Sequence, residues 1–277
     1  MDNPLAEDLD HILTHTRDLW EELRDQRIFI TGGTGFFGCW LLESFAWAND
    51  KLSLNAEALV LTRDYEAFLK KAPHLATNPA IKFQIGDVKD FVFPEGQFSY
   101  LIHSSVYQQP ADEKSSNISL VNEMLTGTRH VLDFCVRANI KKMLLVSTGA
   151  IYGNAPSHLE KIPEDFSAAI DPTVSASAYH QVRRMMETLS VLYSQENNFE
   201  AKIARCFSFI GPYMQLNGRF AVVILSWILY PETALPLKGM ERRCVPIFTW
   251  PILLYGFGRS CFEGSHANHT MWGLNYR

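Results

Sequence analysis

The chain lacks a surplus of basic residues, and this argues against nucleic acid as a partner. Its 277 residues include 25 Lys and Arg against 30 Asp and Glu, which gives a formal net charge of −5. No block of basic residues interrupts this balance, whereas nucleic-acid-binding domains gather Lys and Arg on one surface. We therefore predict no nucleic-acid partner.

Cysteine is also scarce, and the five cysteines never form a CxxC pair. An odd number of scattered cysteines favours neither a disulfide framework nor a zinc site, and it is typical of a reducing compartment. We predict no metal site and a cytoplasmic location. The cysteines are Cys39, Cys135, Cys206, Cys244 and Cys261.

Long apolar runs are absent as well. The two most apolar segments, 220–230 and 245–257, are shorter than the roughly 20 residues of a membrane-spanning helix, and prolines interrupt the second. The first residues are acidic and periodic, unlike the basic and then apolar profile of a signal peptide. The sequence therefore predicts no membrane segment.

Residues 3–23 carry apolar side chains at helical spacing, which predicts an amphipathic helix packed on the domain that follows. These side chains are Leu5, Leu9, Ile12, Leu13, Leu19 and Leu23.

The most informative stretch is 27–38, with the sequence RIFITGGTGFFG. A short apolar strand runs into three glycines, and a helical pattern begins directly behind them. The first glycine permits a tight turn, the second lets backbone approach a pyrophosphate, and the third allows close packing of helix and strand. The stretch predicts a nucleotide-binding turn built on Gly32, Gly35 and Gly38, with phosphate at the helix N-terminus.

The form TGxxGxxG at 31–38 resembles the extended short-chain dehydrogenase/reductase family, which contains the sugar-nucleotide epimerases and dehydratases. The resemblance spans about 27–239 and continues through several motifs in the family's order. It implies an NAD(P)-binding domain of the Rossmann type and a nucleotide-sugar substrate. The cofactor contacts that it implies in this turn are Gly32, Thr34, Gly35, Phe36, Phe37 and Gly38.

The end of the second predicted strand, 58–63, bears on the choice of cofactor. An acidic side chain there binds the adenosine ribose of NAD, whereas an arginine accommodates the additional phosphate of NADP. Thr62 and Arg63 occupy this end, so we favour NADP with Arg63 as a contact. Asp64 follows directly and keeps NAD as the alternative, and a third interpretation is that both charges only begin the next helix.

Two later strand ends match the family's cofactor contacts. The strand 81–85 leads into Asp87 and Val88, and the resemblance implies that the Asp87 carboxylate accepts from the adenine amino group, which is a donor only. An ordinary turn aspartate is the alternative. Ser104 follows the fourth strand where the family lines the cofactor, and we expect the preceding His103 to be structural.

Strands alternate with helices along the chain, including a long predicted helix at 117–139 and a strand at 143–146. This alternation predicts an α/β fold with a doubly wound parallel sheet and right-handed crossovers. The family commonly dimerises through the long helices at 117–139 and 178–195, so a homodimer is implied.

The catalytic layout of the family falls on Thr148 and Tyr179. The resemblance implies that both hydroxyls converge on one substrate hydroxyl, with Tyr179 as general acid/base during hydride transfer. Tyrosine is a poor base at neutral pH, since a free phenol titrates near pH ~10, and a nearby cation favours the phenolate. The family supplies a lysine one helical turn later, where this chain has Arg183. Arginine keeps the charge but not the shape of lysine.

The residues that follow Thr148 limit the types of reaction that the site can catalyse. The 4,6-dehydratases of the family carry an Asp-Glu pair there, and its decarboxylases keep the Glu. Gly149 and Ala150 occupy these positions and provide no acid or base. We therefore favour an epimerase or keto-sugar reductase over a dehydratase or decarboxylase. A catalytically impaired nucleotide-binding remnant is the rival, because Arg183 replaces the lysine.

Residues 201–212 resemble the strand that opens the family's substrate lobe, with Ser208 in place of the usual Asn. The resemblance implies substrate contacts at Ser208 and Arg219, since arginine binds diphosphates bidentately. A sixth buried strand with a charge beyond it is the alternative.

The resemblance stops after Gly239. Codons can be chosen for residues 239–252 that also encode DGTAVRSYLYMAD when they are read in the frame that starts at the last base of the glycine codon. This second sequence fits the segment that the family has next. We therefore expect an out-of-frame tail at 240–277 and an incomplete substrate lobe at 212–239, after an N-terminal helix (1–25) and the NAD(P)-binding domain (26–211). A divergent C-terminus is the alternative, and sequencing the coding DNA across Gly239 distinguishes the two.

Overall fold

The structure, a computed structural model, describes residues 3–105, 117–154, 156, 162–207 and 211–214. Within these residues, six strands form a parallel sheet with the order β3-β2-β1-β4-β5-β6. The strands are β1 (Arg27–Thr31), β2 (Glu57–Thr62), β3 (Ile81–Ile85), β4 (Tyr100–His103), β5 (Lys142–Thr148) and β6 (Glu200–Cys206). The helices are α1 (Ala6–Trp20), α2 (Phe36–Leu52), α3 (Tyr65–Lys71), α4 (Pro73–Ala76), α5 (Asn117–Arg137) and α6 (Ala178–Glu196).

The strand order reverses between β1 and β4. The chain builds β1, β2 and β3 outward on one side and then returns to place β4 on the other side of β1. Thr31 at the end of β1 is level with His103 at the end of β4. In open parallel sheets, ligands bind in the crevice beyond the strands at such a reversal. The predicted doubly wound α/β fold is confirmed.

Helices cover both faces of the sheet. Side chains of a strand alternate between faces, and in β1 Ile28 and Ile30 enter one apolar cluster while Phe29 enters the other. The first cluster contains α1 and α2, and the second contains α5 and α6. This two-sided burial explains why β1 is a nearly continuous apolar run.

Helix α1 packs its apolar stripe into the first cluster. Leu9, Ile12 and Trp20 are almost fully buried there against residues of α2. A 3₁₀ turn at Glu21–Leu23 ends the helix before β1. The N-terminal segment therefore adds a layer to the core of the cofactor domain.

The predicted tail at 240–277 lies outside the described residues, as do Ser208 and Arg219. Among the helices that are described, none is long and apolar enough to cross a membrane. Within the same part of the chain, no three His, Cys, Asp or Glu side chains gather as a metal site.

Candidate dinucleotide and catalytic site

The glycine turn after β1 is tight because of two close backbone approaches. Gly32 has a φ of +73°, a conformation that other residues rarely adopt. A Cβ on Gly32 would lie 2.5 Å from the carbonyl group of Ser104, and one on Gly38 would lie 2.3 Å from the carbonyl oxygen of Gly32. The turn therefore holds the start of α2 at the carboxyl edge of the sheet.

The space in front of α2 is open toward a ligand. Gly35 is the N-cap of the helix and has no side chain with which to cap it. A Cβ on Gly35 would meet the carbonyl oxygen of Gly32 at 3.3 Å and no other described residue. Free amides at a helix N-terminus attract phosphate. This backbone, flanked by Thr34, Phe36 and Phe37, fits the pyrophosphate of a dinucleotide.

The two charged residues after β2 that bear on cofactor choice, Arg63 and Asp64, have different surroundings. Asp64 is the N-cap of α3, and its Oδ1 accepts a hydrogen bond from the amide of Ala67 at 2.9 Å. Arg63 is exposed and forms no hydrogen bond or ion pair with any residue that the structure describes. The carboxylate therefore has a local structural partner, whereas the guanidinium faces solvent.

The other predicted cofactor residues line the same edge of the sheet. Asp87 follows β3, and its Oδ1 accepts from the amide of Lys89 at 3.0 Å. Val88 packs against α5, since a Cβ on Gly127 would lie 2.8 Å from Cγ1 of Val88. Ser104 follows β4 and donates its hydroxyl hydrogen to the carbonyl oxygen of Thr31 at 2.7 Å. Cofactor contacts at Asp87, Val88 and Ser104 remain predictions.

His103 is locked between two threonines beneath this edge. Its Nδ1 lies 2.7 Å from Oγ1 of Thr31 and its Nε2 lies 3.2 Å from Oγ1 of Thr128. Burial, together with the nearby charge of Arg183, lowers the pKa of His103 from its ordinary 6.5 to about 3. The neutral ring therefore joins β1, β4 and α5, which fits the structural role expected from the sequence.

This environment predicts acid sensitivity. His103 is neutral in the folded protein, while the unfolded chain binds a proton below pH 6.5, so acid favours unfolding until the pH approaches about 3. Between about pH 7 and pH 5 we expect His103 to remove about 2 kcal/mol from the free energy of unfolding. Urea titrations of the unaltered chain and of His103→Gln at both pH values measure this. Equal losses in the two proteins would contradict the assignment.

Arg183 connects the two predicted catalytic elements. Thr148 ends β5, and Tyr179 lies half-buried in the first turn of α6. The Arg183 guanidinium carbon is 5.3 Å from the centre of the Tyr179 ring. Its Nη1 donates to the carbonyl oxygen of Val146 in β5 at 3.4 Å. The helix that carries the tyrosine is thus bonded to the strand that carries Thr148, whose own hydroxyl accepts from the amide of Ala150 at 3.2 Å.

Arg183 also provides the test of whether a cofactor fits. Its side chain is only 3% exposed, and its Nε has no partner among the described residues. A buried charged donor without an acceptor is costly, and native proteins rarely leave one unpaired. The protein itself encloses this nitrogen, so a ribose hydroxyl of a nicotinamide dinucleotide would meet it only after the Arg183 side chain turned.

An ion pair beneath the site was missed by the sequence analysis. Nη2 of Arg205 lies 2.8 Å from Oε2 of Glu187, and their side chains are 10% and 8% exposed. Nη1 of Arg205 also donates to the Tyr152 hydroxyl at 3.0 Å and to the carbonyl oxygen of Glu164 at 2.8 Å. The pair ties β6, α6 and the segment after β5 together. The available signal was a glutamate on the apolar face of α6.

Two other reactive side chains at this edge are held neutral. Burial raises the pKa of Tyr152 above its ordinary value of 10, against the opposing effect of Arg205. Burial raises the pKa of the Cys206 thiol to about 12. Neither group supplies a base or nucleophile at neutral pH, and Tyr179 as acid/base remains a prediction.

The position after Thr148 is closed by an aromatic ring. A Cβ on Gly149 would lie 2.4 Å from Cε1 of Phe207, and the Phe207 ring is stacked on Tyr152 with centres 6.3 Å apart. Ala150 follows in the 3₁₀ turn Gly149–Tyr152. This turn therefore presents no proton-transfer side chain where dehydratases of the resembled family carry one.

Comparison with curated proteins finds similarity to nucleotide-sugar enzymes. UDP-glucuronic acid decarboxylase 1 of Arabidopsis thaliana is 28% identical over 191 residues, covering 69% of this chain and 41% of that protein. The decarboxylase 1 of Xenopus tropicalis is 26% identical over 206 residues, covering 74% and 45%. The chain spans between 41% and 62% of the length of the Arabidopsis decarboxylases that it matches.

Solved structures share the fold. A UDP-glucuronic acid 4-epimerase from Bacillus cereus in complex with NAD matches with a TM-score of 0.58 and 18% identity, over 73% of this chain and 63% of that one. A dTDP-glucose 4,6-dehydratase from Streptomyces venezuelae with NAD bound matches with a TM-score of 0.58 and 20% identity, over 73% and 62%.

A family model settles the membership. The model of the NAD dependent epimerase/dehydratase family matches residues 28–237. This range contains the glycine turn, Thr148, Tyr179 and Arg183, and it confirms the resemblance drawn from the motifs. The chain belongs to the NAD dependent epimerase/dehydratase family.

Proposed function

We propose that the chain is a nicotinamide-dependent epimerase or keto-sugar reductase acting on a nucleotide sugar. The observation that carries the proposal is the buried Arg183, which stands against Tyr179, is bonded to β5 and keeps one guanidinium nitrogen unpaired. A nicotinamide cofactor, when bound, supplies hydride transfer to or from a sugar carbon. Tyr179 moves the proton of the sugar hydroxyl, and Thr148 orients that hydroxyl.

Arg183 has two tasks in this proposal. Its guanidinium lies beside the Tyr179 ring, and its hydrogen bond to the carbonyl oxygen of Val146 holds α6 against β5. The glycine turn and the first amides of α2 hold the pyrophosphate, with Arg63, Asp87, Val88 and Ser104 along the adenosine and nicotinamide edges.

Epimerisation or ketone reduction suits the site better than the decarboxylation catalysed by the curated relatives. The reaction needs only hydride and one hydroxyl proton, which Tyr179 and Thr148 handle. Elimination or carbanion chemistry requires a further acid or base. Gly149 and Ala150 supply none, and Phe207 fills the adjoining space. Dehydration and decarboxylation are therefore the second choice.

A nucleotide-binding remnant without turnover is the rival function, and Arg183 is the observation that favours it. Arginine is bulkier than the family's lysine and does not reproduce its point charge. Arg183→Lys separates the two functions, because an active centre retains or gains turnover with UDP-glucuronic acid or UDP-glucose as probe. Inactivity of both proteins, with intact cofactor binding, would favour the remnant.

Substrate binding is assigned to Ser208, which follows β6 in the sequence, and to Arg219, which belongs to the lobe expected at 212–239. The diphosphate of a nucleotide sugar suits an arginine because the planar guanidinium binds two oxygens at once. Loss of UDP binding in Arg219→Ala, measured by calorimetry, tests this assignment.

A homodimer through α5 and α6 is part of the proposal. Met185 and Leu192 lie seven residues apart on α6 and are 47% and 44% exposed, and Ile118 and Val136 are exposed on α5. Apolar side chains on one exposed helix face favour association. Sedimentation velocity of the unaltered chain and of Met185→Glu distinguishes a dimer from a monomer.

A cytoplasmic location completes the proposal. Cys39, Cys135 and Cys206 are free thiols in the structure, which suits a reducing compartment. Fractionation of cells that express the tagged chain tests the location.

The glycine turn yields a prediction that separates cofactor binding from folding. Gly35→Ala places a methyl group before α2, 3.3 Å from the carbonyl oxygen of Gly32, and should weaken dinucleotide binding about tenfold or more, with a modest loss of stability. Gly38→Ala forces backbone atoms apart and should lower stability as well. Fluorescence titration with NADH and NADPH, together with thermal melting, measures both effects. Unchanged binding by Gly35→Ala would argue against a pyrophosphate at this helix.

A further inference from the structure

Helix α1 precedes the region matched by the family model, which begins at residue 28. Its buried side, with Leu9, Ile12 and Trp20, anchors the helix in the core. Its solvent-exposed side carries two histidines, His11 and His15. No residue of the proposed function lies on this helix, so its exposed side calls for a separate explanation.

The two imidazoles lie next to each other on α1. They are four residues apart in the chain, which places them on one face of the helix. Their ring centres are 4.3 Å apart, and their planes are tilted by 44°. Zinc binds imidazole nitrogen at about 2.0–2.1 Å, so rings this close can both bind one ion. Histidines at this helical spacing supply two of the zinc ligands in metalloproteases.

A backbone hydrogen bond prepares His15 as a ligand. Its Nδ1 lies 2.8 Å from the carbonyl oxygen of His11. Because a carbonyl oxygen only accepts, Nδ1 carries the hydrogen, and in the neutral ring Nε2 keeps the lone pair that a metal requires. Histidines that bind metals commonly donate their second N–H to a carbonyl in this way. The ring of His11 forms no hydrogen bond with any residue that the structure describes.

A carboxylate lies beside the histidine pair. Asp8 is half-buried and precedes His11 by three residues on the same face of α1. Burial and the neighbouring Glu7 raise the pKa of the Asp8 carboxyl, and His11 opposes this increase, which shows that the two groups are close. No ion pair joins Asp8, His11 or His15 to another described residue. The negative charge therefore favours a cation at this surface.

We propose that His11 and His15 bind one zinc ion on the surface of α1. Within the described part of the chain no group of three protein ligands forms, so water completes the tetrahedral shell. Imidazole suits Zn²⁺, whereas Mg²⁺ and Ca²⁺ prefer oxygen ligands. The scattered cysteines argue against a thiolate site, and a histidine pair is a different donor set. An ion that joins two turns of the helix stabilises the folded chain.

The test is isothermal titration calorimetry of the full chain, freed of metal with EDTA and dialysed, against zinc chloride. We expect one zinc ion that requires both histidines. His11→Gln and His15→Gln should each weaken its binding about tenfold or more, since the second imidazole acts at a high effective concentration. Both side chains are exposed, so the circular dichroism of the variants should match that of the unaltered chain.

His15→Arg combined with Arg17→His is the matched control. Arg17 is exposed, and the double variant keeps the composition of the chain while placing its two histidines six residues apart on different faces of α1. All variants keep the same five cysteines, so zinc bound elsewhere is a common background. The control should bind one zinc ion fewer than the unaltered chain. Zinc should raise the melting temperature of the unaltered chain more than that of the control.

Two results would overturn the zinc site. Equal zinc binding by the unaltered chain and the control would place the ion elsewhere, and absence of zinc binding by the folded, unaltered chain would leave no ion to assign. Neither result bears on the proposed function, which dinucleotide binding and turnover test independently of α1.

Discussion

Replacing Arg205 with methionine is expected to lower the free energy of unfolding by about 3–5 kcal/mol, because it leaves a buried charge without its partner. Glu187 is 8% exposed at its side chain, so water cannot replace the guanidinium. The carboxylate would keep only the hydroxyl of Ser147. Tyr152 and the carbonyl of Glu164 would each lose a donor as well.

Two further variants make the Arg205 experiment specific. Lys89→Met breaks an ion pair with Glu123 of 3.4 Å whose side chains are about one-third exposed, and it should cost at most about 1 kcal/mol. Arg205→Met combined with Glu187→Leu should recover part of the loss, since no unpaired charge remains. Urea unfolding followed by circular dichroism measures all four proteins. A loss in Arg205→Met no larger than in Lys89→Met would contradict the buried-pair argument.

Tyr179→Phe should reduce turnover by about 10²–10⁴-fold while cofactor binding is retained, because it removes only the acid/base hydroxyl. The protein, loaded with NADP or NAD, is mixed with UDP-glucuronic acid or UDP-glucose, and the nucleotide-sugar products are separated by chromatography. Product is measured because an epimerase returns the hydride and leaves no net reduced nicotinamide, whose absorbance reports only the transient intermediate state. This prediction rests on the proposed function. A fluorescence titration with the dinucleotide identifies a variant that is inactive only because it no longer binds the cofactor.

Tyr193→Phe is the matched control for this change. Tyr193 lies on the same helix and donates its hydroxyl hydrogen to Asp133 at 2.7 Å, away from the glycine turn. It should leave turnover within about twofold, as expected of a surface hydrogen bond. Equal effects of the two substitutions would argue against Tyr179 as acid/base.

The features that the sequence predicted correctly are those that depend on residues close together in the chain. Gly32 is required by its positive φ and Gly38 by a close approach of backbone within the same turn, and the apolar run of β1 follows from burial on both faces. Motif and pattern therefore suffice for both. Predicted and observed bounds differ only at element ends, as for β5, predicted at 143–146 and observed at Lys142–Thr148.

Contacts between distant residues were not predictable in the same way. Glu187 and Arg205 meet only because β6 pairs with β5 under α6. The role of Asp64 as a helix cap rather than a free carboxylate depends on where β2 ends, which periodicity leaves open by a residue or two. The ammonium of Lys71, at the end of α3, donates to the carbonyl oxygen of Thr34 in the glycine turn at 2.9 Å. This contact depends on the packing of α3, which no motif encodes.

The ring of Phe207 over Gly149 bears on the order in which mutations can change this centre. A carboxylate introduced at position 149 by a single substitution would collide with the ring, whose stacking on Tyr152 would have to be given up. A smaller residue at position 207 would have to come first, and alone it would bring loss of packing and no new chemistry. The route to a carboxylate at position 149 therefore passes through an intermediate without advantage, and stepwise selection would tend to keep the glycine there.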